Sequence, residues 1–223
     1  MMITPTIQNW TAFHAIIIII TTAFCFLLSK IFPLILAAVF SFSLLIFLTR
    51  KQWTPQLHFG MGNFLTGLRL LLLLLTTLFL KDLPDYLIAL AGLVILIGDG
   101  IDGWLARRRH ELSEFGEYFD KETDALYIHL FCLSAIFKNL LGEWIILIGL
   151  LRYLFVLYLF LTGKKDRKEK RSKTGRYIFV FVSCSVIIIF LPFPVLPLAV
   201  AALSLLLLIY SFGRDILWIQ FGK

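Results

Sequence analysis

The chain has 223 residues, of which 60% are hydrophobic and 16% charged, and its mean hydropathy is +0.91. A soluble domain of this length needs more polar surface, and a disordered chain would lack the 22 phenylalanines found here. The net charge of +7 would suit nucleic-acid binding in a soluble protein, but here the charges lie between apolar stretches. The composition therefore predicts an integral membrane protein that does not bind nucleic acid.

Eight apolar stretches approach the length of about 20 residues that a bilayer span requires. They cover residues 11–29, 31–49, 63–80, 84–105, 120–138, 143–162, 176–192 and 195–212. The sequence thus predicts an all-α fold, a polytopic membrane helix bundle of eight helices, in which the first two spans form an accessory pair.

The basic residues are distributed unequally between the two sides of this bundle. Of the 21 Lys and Arg residues, Lys30, Lys81 and Lys138 lie on one side, Arg69 and Arg152 lie within spans, and the other 16 lie on the N-terminal side. The positive-inside rule then predicts cytoplasmic termini, in a bacterial inner membrane. Within this set, the run of residues 164–171 is interpreted as a solvated loop, and a patch for anionic lipid or substrate is the alternative.

Four aspartates interrupt the fourth and fifth spans. Asp99 and Asp102 share a helix face at i, i+3, and Asp120 and Asp124 do so at i, i+4. Because the link between the two spans is short, the helices are predicted to be antiparallel neighbours whose four carboxylates converge at the cytoplasmic edge. An ionised Asp costs ~2.5–3.5 kcal/mol at the centre of a span, and four like charges repel one another. Bound divalent cations would remove both costs.

Carboxylate oxygens on a rigid frame favour Mg²⁺ or Mn²⁺ over Zn²⁺. Two such cations bridged by shared carboxylates are a common device for phosphoryl transfer. Gly103 lies one turn after Asp99 and leaves room for a substrate, Ala106 extends this groove, and Gly116 lets the next helix begin close by. Helix packing would also explain the small residues, but it does not explain the acids.

From Asp99 to Asp124 the sequence reads D-x-x-D-G-x-x-A-R-x(8)-G-x-x-x-D-x-x-x-D, which resembles the signature of the CDP-alcohol phosphotransferase family. A second motif, N-x-x-T-x-x-R from Asn63 to Arg69, resembles the start of the family's first core helix. The resemblance covers about residues 60–215. It implies a six-helix core in residues 59–223, with an accessory transmembrane pair and linker in residues 1–58, and it implies a homodimer.

The resemblance implies an enzyme that transfers a phosphatidyl group from CDP-diacylglycerol to an alcohol and releases CMP, in phospholipid biosynthesis. Asp99, Asp102, Asp120 and Asp124 would bind two Mg²⁺ or Mn²⁺ ions. Asp124 would also be the catalytic base that takes the proton of the acceptor hydroxyl. The positions that match CDP-binding residues of the family are Asn63, Phe64, Leu65, Thr66, Gly103, Ala106, Arg107 and Ser113.

Three arginines bear on the acceptor. Arg152 lies within the sixth span, and Arg176 and Arg214 lie at cytoplasmic span ends, where together they would suit a phosphorylated acceptor such as glycerol 3-phosphate. Arg152 pairing with a structural acid, and the other two orienting the chain, are the alternatives. Lys121 and Ala125 replace the Pro and Lys frequent in glycerophosphate members of the family. The eight-span arrangement resembles phosphatidylcholine and phosphatidylserine synthases, which are the alternative function.

A cation transporter that uses the aspartates as an ion path is the alternative from another class. Such a path needs acids at several depths of the membrane, whereas these four lie near one face. A catalytically inactive scaffold is a third possibility, which the complete acidic set argues against. The sequence therefore favours the enzyme.

Overall fold

The computed structural model describes residues 4–163 and 173–221, and within them the chain forms eight α-helices and no strand. The helices are α1 (Pro5–Leu28), α2 (Phe32–Leu48), α3 (Met61–Leu78), α4 (Asp85–Arg108), α5 (Glu114–Phe137), α6 (Ile146–Leu161), α7 (Lys173–Ile188) and α8 (Leu196–Phe221). A 3-10 turn, Glu143–Ile145, leads into α6. The predicted all-α class is confirmed. The predicted basic loop of residues 164–171 lies outside the described residues.

Five helical segments are long and apolar enough to cross a membrane. They are α1, α3, α4, α8 and the segment Glu143–Leu161 that contains α6. The helix α2 is equally apolar but has 17 residues. The protein is therefore a polytopic membrane helix bundle, as predicted.

The helix α5 forms the centre of the bundle. Fifteen of its 24 residues are buried, and it packs against α1, α3, α6 and α7. It begins at Glu114 rather than at residue 120, because the Ser113 Oγ caps the helix by accepting a hydrogen bond of 3.0 Å from the Gly116 amide. Glu114 and Glu117 in the first turn also interact favourably with the helix dipole. This central helix carries Asp120 and Asp124.

The helix α1 packs against α2, α5 and α6, partly through polar contacts. Within the accessory pair, His14 Nδ1 of α1 and Ser41 Oγ of α2 share a hydrogen bond of 2.8 Å. Between α1 and α5, Thr22 Oγ1 and His129 Nε2 share another of 2.8 Å. Such interhelical hydrogen bonds contribute to helix association where lipid provides no hydrophobic drive.

A further contact fastens the start of α1 to the start of α5. The Thr4 amide donates to Glu114 Oε1 at 2.9 Å, and the Thr4 hydroxyl donates to Glu114 Oε2 at 2.7 Å. The accessory pair therefore touches the central helix at both its polar end and its interior. The division of the chain into residues 1–58 and 59–223 stays a prediction.

Residues 49–60 connect α2 to α3 and are called the strap here. Trp53 in the strap donates from Nε1 to the Ile46 carbonyl at 3.1 Å and packs edge-on against Phe59, with 5.1 Å between ring centroids. Phe59 in turn contacts Phe115 and Phe119 of α5. The strap therefore lies at the end of the bundle where α3 and α5 begin and α4 ends.

Candidate active site

Close packing of α3 on α4 sets the position of the candidate site. A Cβ atom on Gly62 would lie 2.9 Å from the Ala106 Cβ and 3.3 Å from the Asp102 carbonyl oxygen, so the two helices approach closely only because residue 62 is glycine. Similarly, a Cβ on Gly98 would lie 2.9 Å from the Arg69 Cδ. These glycines allow Arg69 of α3 to extend along the acidic end of α4.

The four aspartates of α4 and α5 converge on the Arg69 guanidinium. Arg69 Nη1 contacts Asp102 and lies 2.9 Å from Asp120 Oδ1, and Nη2 lies 2.5 Å from Asp124 Oδ1 and 3.6 Å from Asp99 Oδ1. The Arg69 side chain is 4% exposed. The structure thus brings together the four predicted metal ligands, around a cationic side chain.

Two further contacts orient these groups. The Thr66 hydroxyl donates to Asp102 Oδ2 at 3.0 Å, and Arg69 Nε donates to the Ile95 carbonyl at 3.1 Å. The Asp102 side chain is 3% exposed, yet its Oδ1 has no hydrogen-bond partner among the described residues. An unpartnered buried carboxylate oxygen is costly, and a bound cation would remove that cost.

The donor set fits a divalent metal. One carboxylate oxygen from each of Asp99, Asp120 and Asp124 lies within 4.8 Å of the others. Oxygen ligands of Mg²⁺ or Ca²⁺ lie about 2.0–2.6 Å from the metal, so one ion can bridge such a spread after a small adjustment. Four carboxylates facing one guanidinium also leave an excess of negative charge. The residues present therefore fit one or more hard divalent cations such as Mg²⁺ or Mn²⁺.

Two of the predicted CDP-binding side chains, Asn63 and Ser113, donate hydrogen bonds to the strap. Asn63 Nδ2 donates to the Trp53 carbonyl at 3.0 Å and to the Phe59 carbonyl at 2.6 Å, and Ser113 Oγ donates to the same Trp53 carbonyl at 2.6 Å. A Cβ on Gly116 would lie 2.7 Å from Asn63 Oδ1. The Trp53 carbonyl thus joins the starts of α3 and α5, and Gly116 provides the room for that junction.

Of the other predicted CDP-binding residues, some lie in the contact between α3 and α4 and others lie on the surface. Thr66 contacts Asp102 and Ala106 lies in the α3–α4 contact. A Cβ on Gly103 would meet only the Arg107 guanidinium, at 3.3 Å, so Gly103 is not required for helix packing. Arg107 and Phe64 are exposed, and Leu65 is half-buried. Gly103 and Arg107 therefore form an open surface next to Asp102, where a substrate can approach.

Arg152 has a buried acid as its partner. Its Nη2 donates to Glu122 Oε1 at 2.8 Å, and the Glu122 side chain is 1% exposed. Glu122 follows Asp120 by two residues, which turns it about 200° around α5. The structure therefore supports the alternative in which Arg152 pairs with a structural acid, on the face of α5 opposite the aspartates.

The two remaining predicted acceptor-binding arginines lie near the ends of their helices. Arg214 of α8 pairs with its neighbour Asp215, with Nη2 and Oδ1 3.0 Å apart. Arg176 lies in the first turns of α7 and is exposed. Because helices alternate in direction, both arginines lie at the same end of the bundle as the aspartates.

Sequence reasoning left three structural roles unassigned. Arg69 contacts all four aspartates, Glu122 pairs with Arg152, and Glu111 Oε2 accepts a hydrogen bond of 2.8 Å from the Met61 amide at the start of α3. The first two had a usable signal, because an arginine within an apolar span needs an anionic partner. Which acid partners which arginine depends on helix rotation, which the sequence does not provide.

Comparison with known proteins gives two curated relatives. The CDP-diacylglycerol–inositol 3-phosphatidyltransferase 1 of Arabidopsis thaliana is 31% identical over 82 residues, which cover 34% of this chain and 35% of that protein. The CDP-diacylglycerol–inositol 3-phosphatidyltransferase of Schizosaccharomyces pombe is 31% identical over 74 residues, which cover 33% of this chain and 31% of that protein. The match thus spans about a third of the length of each relative. No solved structure matches the chain.

The family comparison covers more of the chain. The profile of the CDP-alcohol phosphatidyltransferase family matches residues 59–212. This range includes α3 to α7, most of α8 and all four converging aspartates. The resemblance inferred from the sequence is confirmed, and the chain belongs to the CDP-alcohol phosphatidyltransferase family.

Proposed function

We propose that this protein transfers the phosphatidyl group of CDP-diacylglycerol to the hydroxyl of a small alcohol and releases CMP. The observation that carries this proposal is the convergence of Asp99, Asp102, Asp120 and Asp124 from two helices on one point. Their spacing is that of the family signature, and the family match supports the same reaction.

In this reaction the acceptor oxygen forms a bond to the phosphorus that carries the diacylglycerol. The bond from that phosphorus to the bridging oxygen of the diphosphate breaks, and CMP leaves with that oxygen. Asp124, which is 15% exposed, takes the proton of the acceptor hydroxyl. Asp99, Asp102 and Asp120, together with Asp124, would hold two Mg²⁺ or Mn²⁺ ions. When bound, these ions neutralise the diphosphate and the charge on the leaving oxygen.

The surroundings of the cluster suit an amphipathic donor. Arg107 is exposed beside Gly103, where a guanidinium can bind phosphate oxygens with two parallel hydrogen bonds. Phe64, Ile101 and Trp104 on the same ends of α3 and α4 are each about half exposed. We propose that the diphosphate lies between Arg107 and the aspartates, with the acyl chains along this apolar surface.

For the acceptor, we propose a polyol of the inositol class. The two curated relatives are named as inositol phosphatidyltransferases. The hypothesis of a phosphorylated acceptor rests on Arg152, Arg176 and Arg214 together, and the pairing of Arg152 with Glu122 weakens it. Glycerol 3-phosphate remains a second candidate because Arg176 and Arg214 lie at the same end of the bundle as the aspartates. Serine and choline complete the set of acceptors to compare.

The test is release of CMP by the purified full chain in lipid nanodiscs. Labelled CDP-diacylglycerol is supplied with Mg²⁺ or Mn²⁺ and, separately, with inositol, inositol phosphate, glycerol 3-phosphate, serine or choline. We expect metal-dependent CMP release together with a new labelled lipid for one acceptor. Cation flux in liposomes without CMP release would instead support the cation transporter. If the protein shows neither CMP release nor cation flux, the result would support the catalytically inactive scaffold.

We also propose that the aspartate end of the bundle faces the cytoplasm of a bacterial inner membrane, and that the protein is a homodimer. The first proposal rests on the excess of basic residues at that end. Single cysteines introduced at Arg109 and Lys81, at opposite ends of α4, should react with an impermeant thiol reagent from opposite sides. Mass measurement in detergent should give twice the chain mass.

A further inference from the structure

The acidic cluster contains a cation of its own. Arg69 contacts one oxygen from each of the four aspartates, and its side chain is 4% exposed. Any divalent cation bound by Asp99, Asp120 and Asp124 therefore competes for carboxylates that a guanidinium already holds. An arginine with one acid is a balanced pair, but here one positive charge faces four negative ones.

We propose that Arg69 is the resident counterion of the acidic cluster, and that Arg69 and divalent cations hold these carboxylates alternately. Arg69 is then a positioning residue, which keeps the ligands together before the metal binds and releases them when it does. This inference rests on the proposed function in one respect only, which is that the aspartates bind divalent cations.

Four features allow the exchange to occur. Arg69 Nε donates to the Ile95 carbonyl, so the guanidinium keeps a partner when it releases the carboxylates. The Asp99 and Asp120 side chains are 26% and 34% exposed, so the cluster offers a first contact to an incoming cation while Arg69 is still in place. Asp102 Oδ1 is buried with no hydrogen-bond partner among the described residues, so it is available to a cation that has entered the cluster. The Thr66 hydroxyl holds the other Asp102 oxygen, which fixes that carboxylate through the exchange.

The cluster keeps a net negative charge with Arg69 in place, which favours the binding of a divalent cation. A single guanidinium leaves three of the four carboxylate charges uncompensated, so the cluster remains attractive to a divalent cation. Without Arg69, all four charges would repel one another in a partly buried site. The inference therefore predicts a metal-free protein that depends on Arg69 for stability, and a metal-bound protein that does not.

The experiment compares wild type with R69M and R69K, and uses R152M as the matched control. R152M removes an arginine from the same bundle, but one whose ion pair within the described residues is with Glu122, outside the aspartate cluster. Two quantities are measured on the full chain in nanodiscs without substrate. The Mn²⁺ dissociation constant is obtained from the electron paramagnetic resonance signal of free Mn²⁺, and the melting temperature is obtained in chelator and in saturating Mn²⁺.

We expect R69M to melt well below wild type in chelator and to recover most of the difference in Mn²⁺. Its Mn²⁺ dissociation constant should be lower by about tenfold or more, since no guanidinium has to be displaced. R152M should lose the same melting temperature in chelator and in Mn²⁺, with an unchanged dissociation constant. R69K keeps the charge but lacks the planar fork, so it should bind Mn²⁺ more tightly than wild type.

Three results would overturn the inference. If R69M and wild type have equal Mn²⁺ affinity, Arg69 does not compete for the ligands. If R69K binds like wild type while R69M binds more tightly, only the distant charge of Arg69 matters. If none of the four proteins binds Mn²⁺, the proposed metal site fails as well, which separates the two failures. Should R69M not be recovered as folded protein, the comparison of R69K with wild type decides alone.

Discussion

Arg152 and Arg69 show how an ion pair that stabilises the bundle differs from one at the candidate active site. Among the described residues, Arg152 pairs with the buried acid Glu122, so one positive charge faces one negative charge. Arg69 meets four acids and leaves a negative excess. The first arrangement balances its charges within the described residues, whereas the second leaves a negative charge that bound divalent cations would neutralise. The ratio of acids to bases, rather than burial itself, distinguishes the candidate active site from the rest of the interior.

The strongest test of this comparison removes one acid from the unbalanced cluster. Asp124→Asn should lower kcat/KM for CMP release by about 10²–10⁴-fold, because it removes the base, and further through loss of a metal ligand. The matched control is Asp85→Asn, in which the changed side chain pairs with Lys138 at the opposite end of α4. That variant should keep its activity, and full activity of Asp124→Asn would refute the assigned role.

Substitutions in the Arg152–Glu122 pair should change the stability of the protein rather than its activity. Glu122→Gln removes the buried acid that pairs with Arg152 and should cost up to about 3–5 kcal/mol, measured as the free energy of unfolding in detergent. The double variant E122Q/R152M removes both charges and should recover part of this loss. A rise in KM for glycerol 3-phosphate in R152M, at unchanged stability, would contradict the structural role of Arg152. It would instead support a role for Arg152 in binding the acceptor.

A smaller effect is expected where the strap meets α5. Gly116→Ala places a Cβ 2.7 Å from Asn63 Oδ1 and should destabilise the protein by about 1–3 kcal/mol through overpacking. Gly213→Ala is the control, since a Cβ there meets nothing within 4 Å. It should be neutral or slightly stabilising, because alanine favours the helix. Equal melting temperatures of the two variants would show that Asn63 adapts at little cost.

The smallest effect concerns the cap of α5. Ser113→Ala removes the hydrogen bonds to the Gly116 amide and the Trp53 carbonyl and should cost about 1 kcal/mol of stability. If Ser113 acts only through these contacts, the KM for CDP-diacylglycerol should not change. A clear rise in that KM would instead support the direct contact with CDP that the family resemblance implies.

The sequence predicted the parts of the molecule that follow from local spacing. The i, i+3 and i, i+4 separations of the aspartates, and the short link between their helices, were enough to predict their convergence. The start of α5 was missed because its first turn is polar and is fixed by the Ser113 cap rather than by apolar periodicity. The Arg152–Glu122 pair depends on helix rotation, and the Trp53 carbonyl contacts depend on an irregular segment. The individual site roles and the division at residue 58 stay predictions.

The contact between Thr4 and Glu114 has a practical consequence for work with this protein. The first described residue is fastened to the beginning of the helix that carries Asp120 and Asp124. An affinity tag fused ahead of Thr4 would pull on that helix only two turns from the reacting groups. For kinetic measurements the tag therefore belongs after α8, since the described residues show no such contact between that end of the chain and α5.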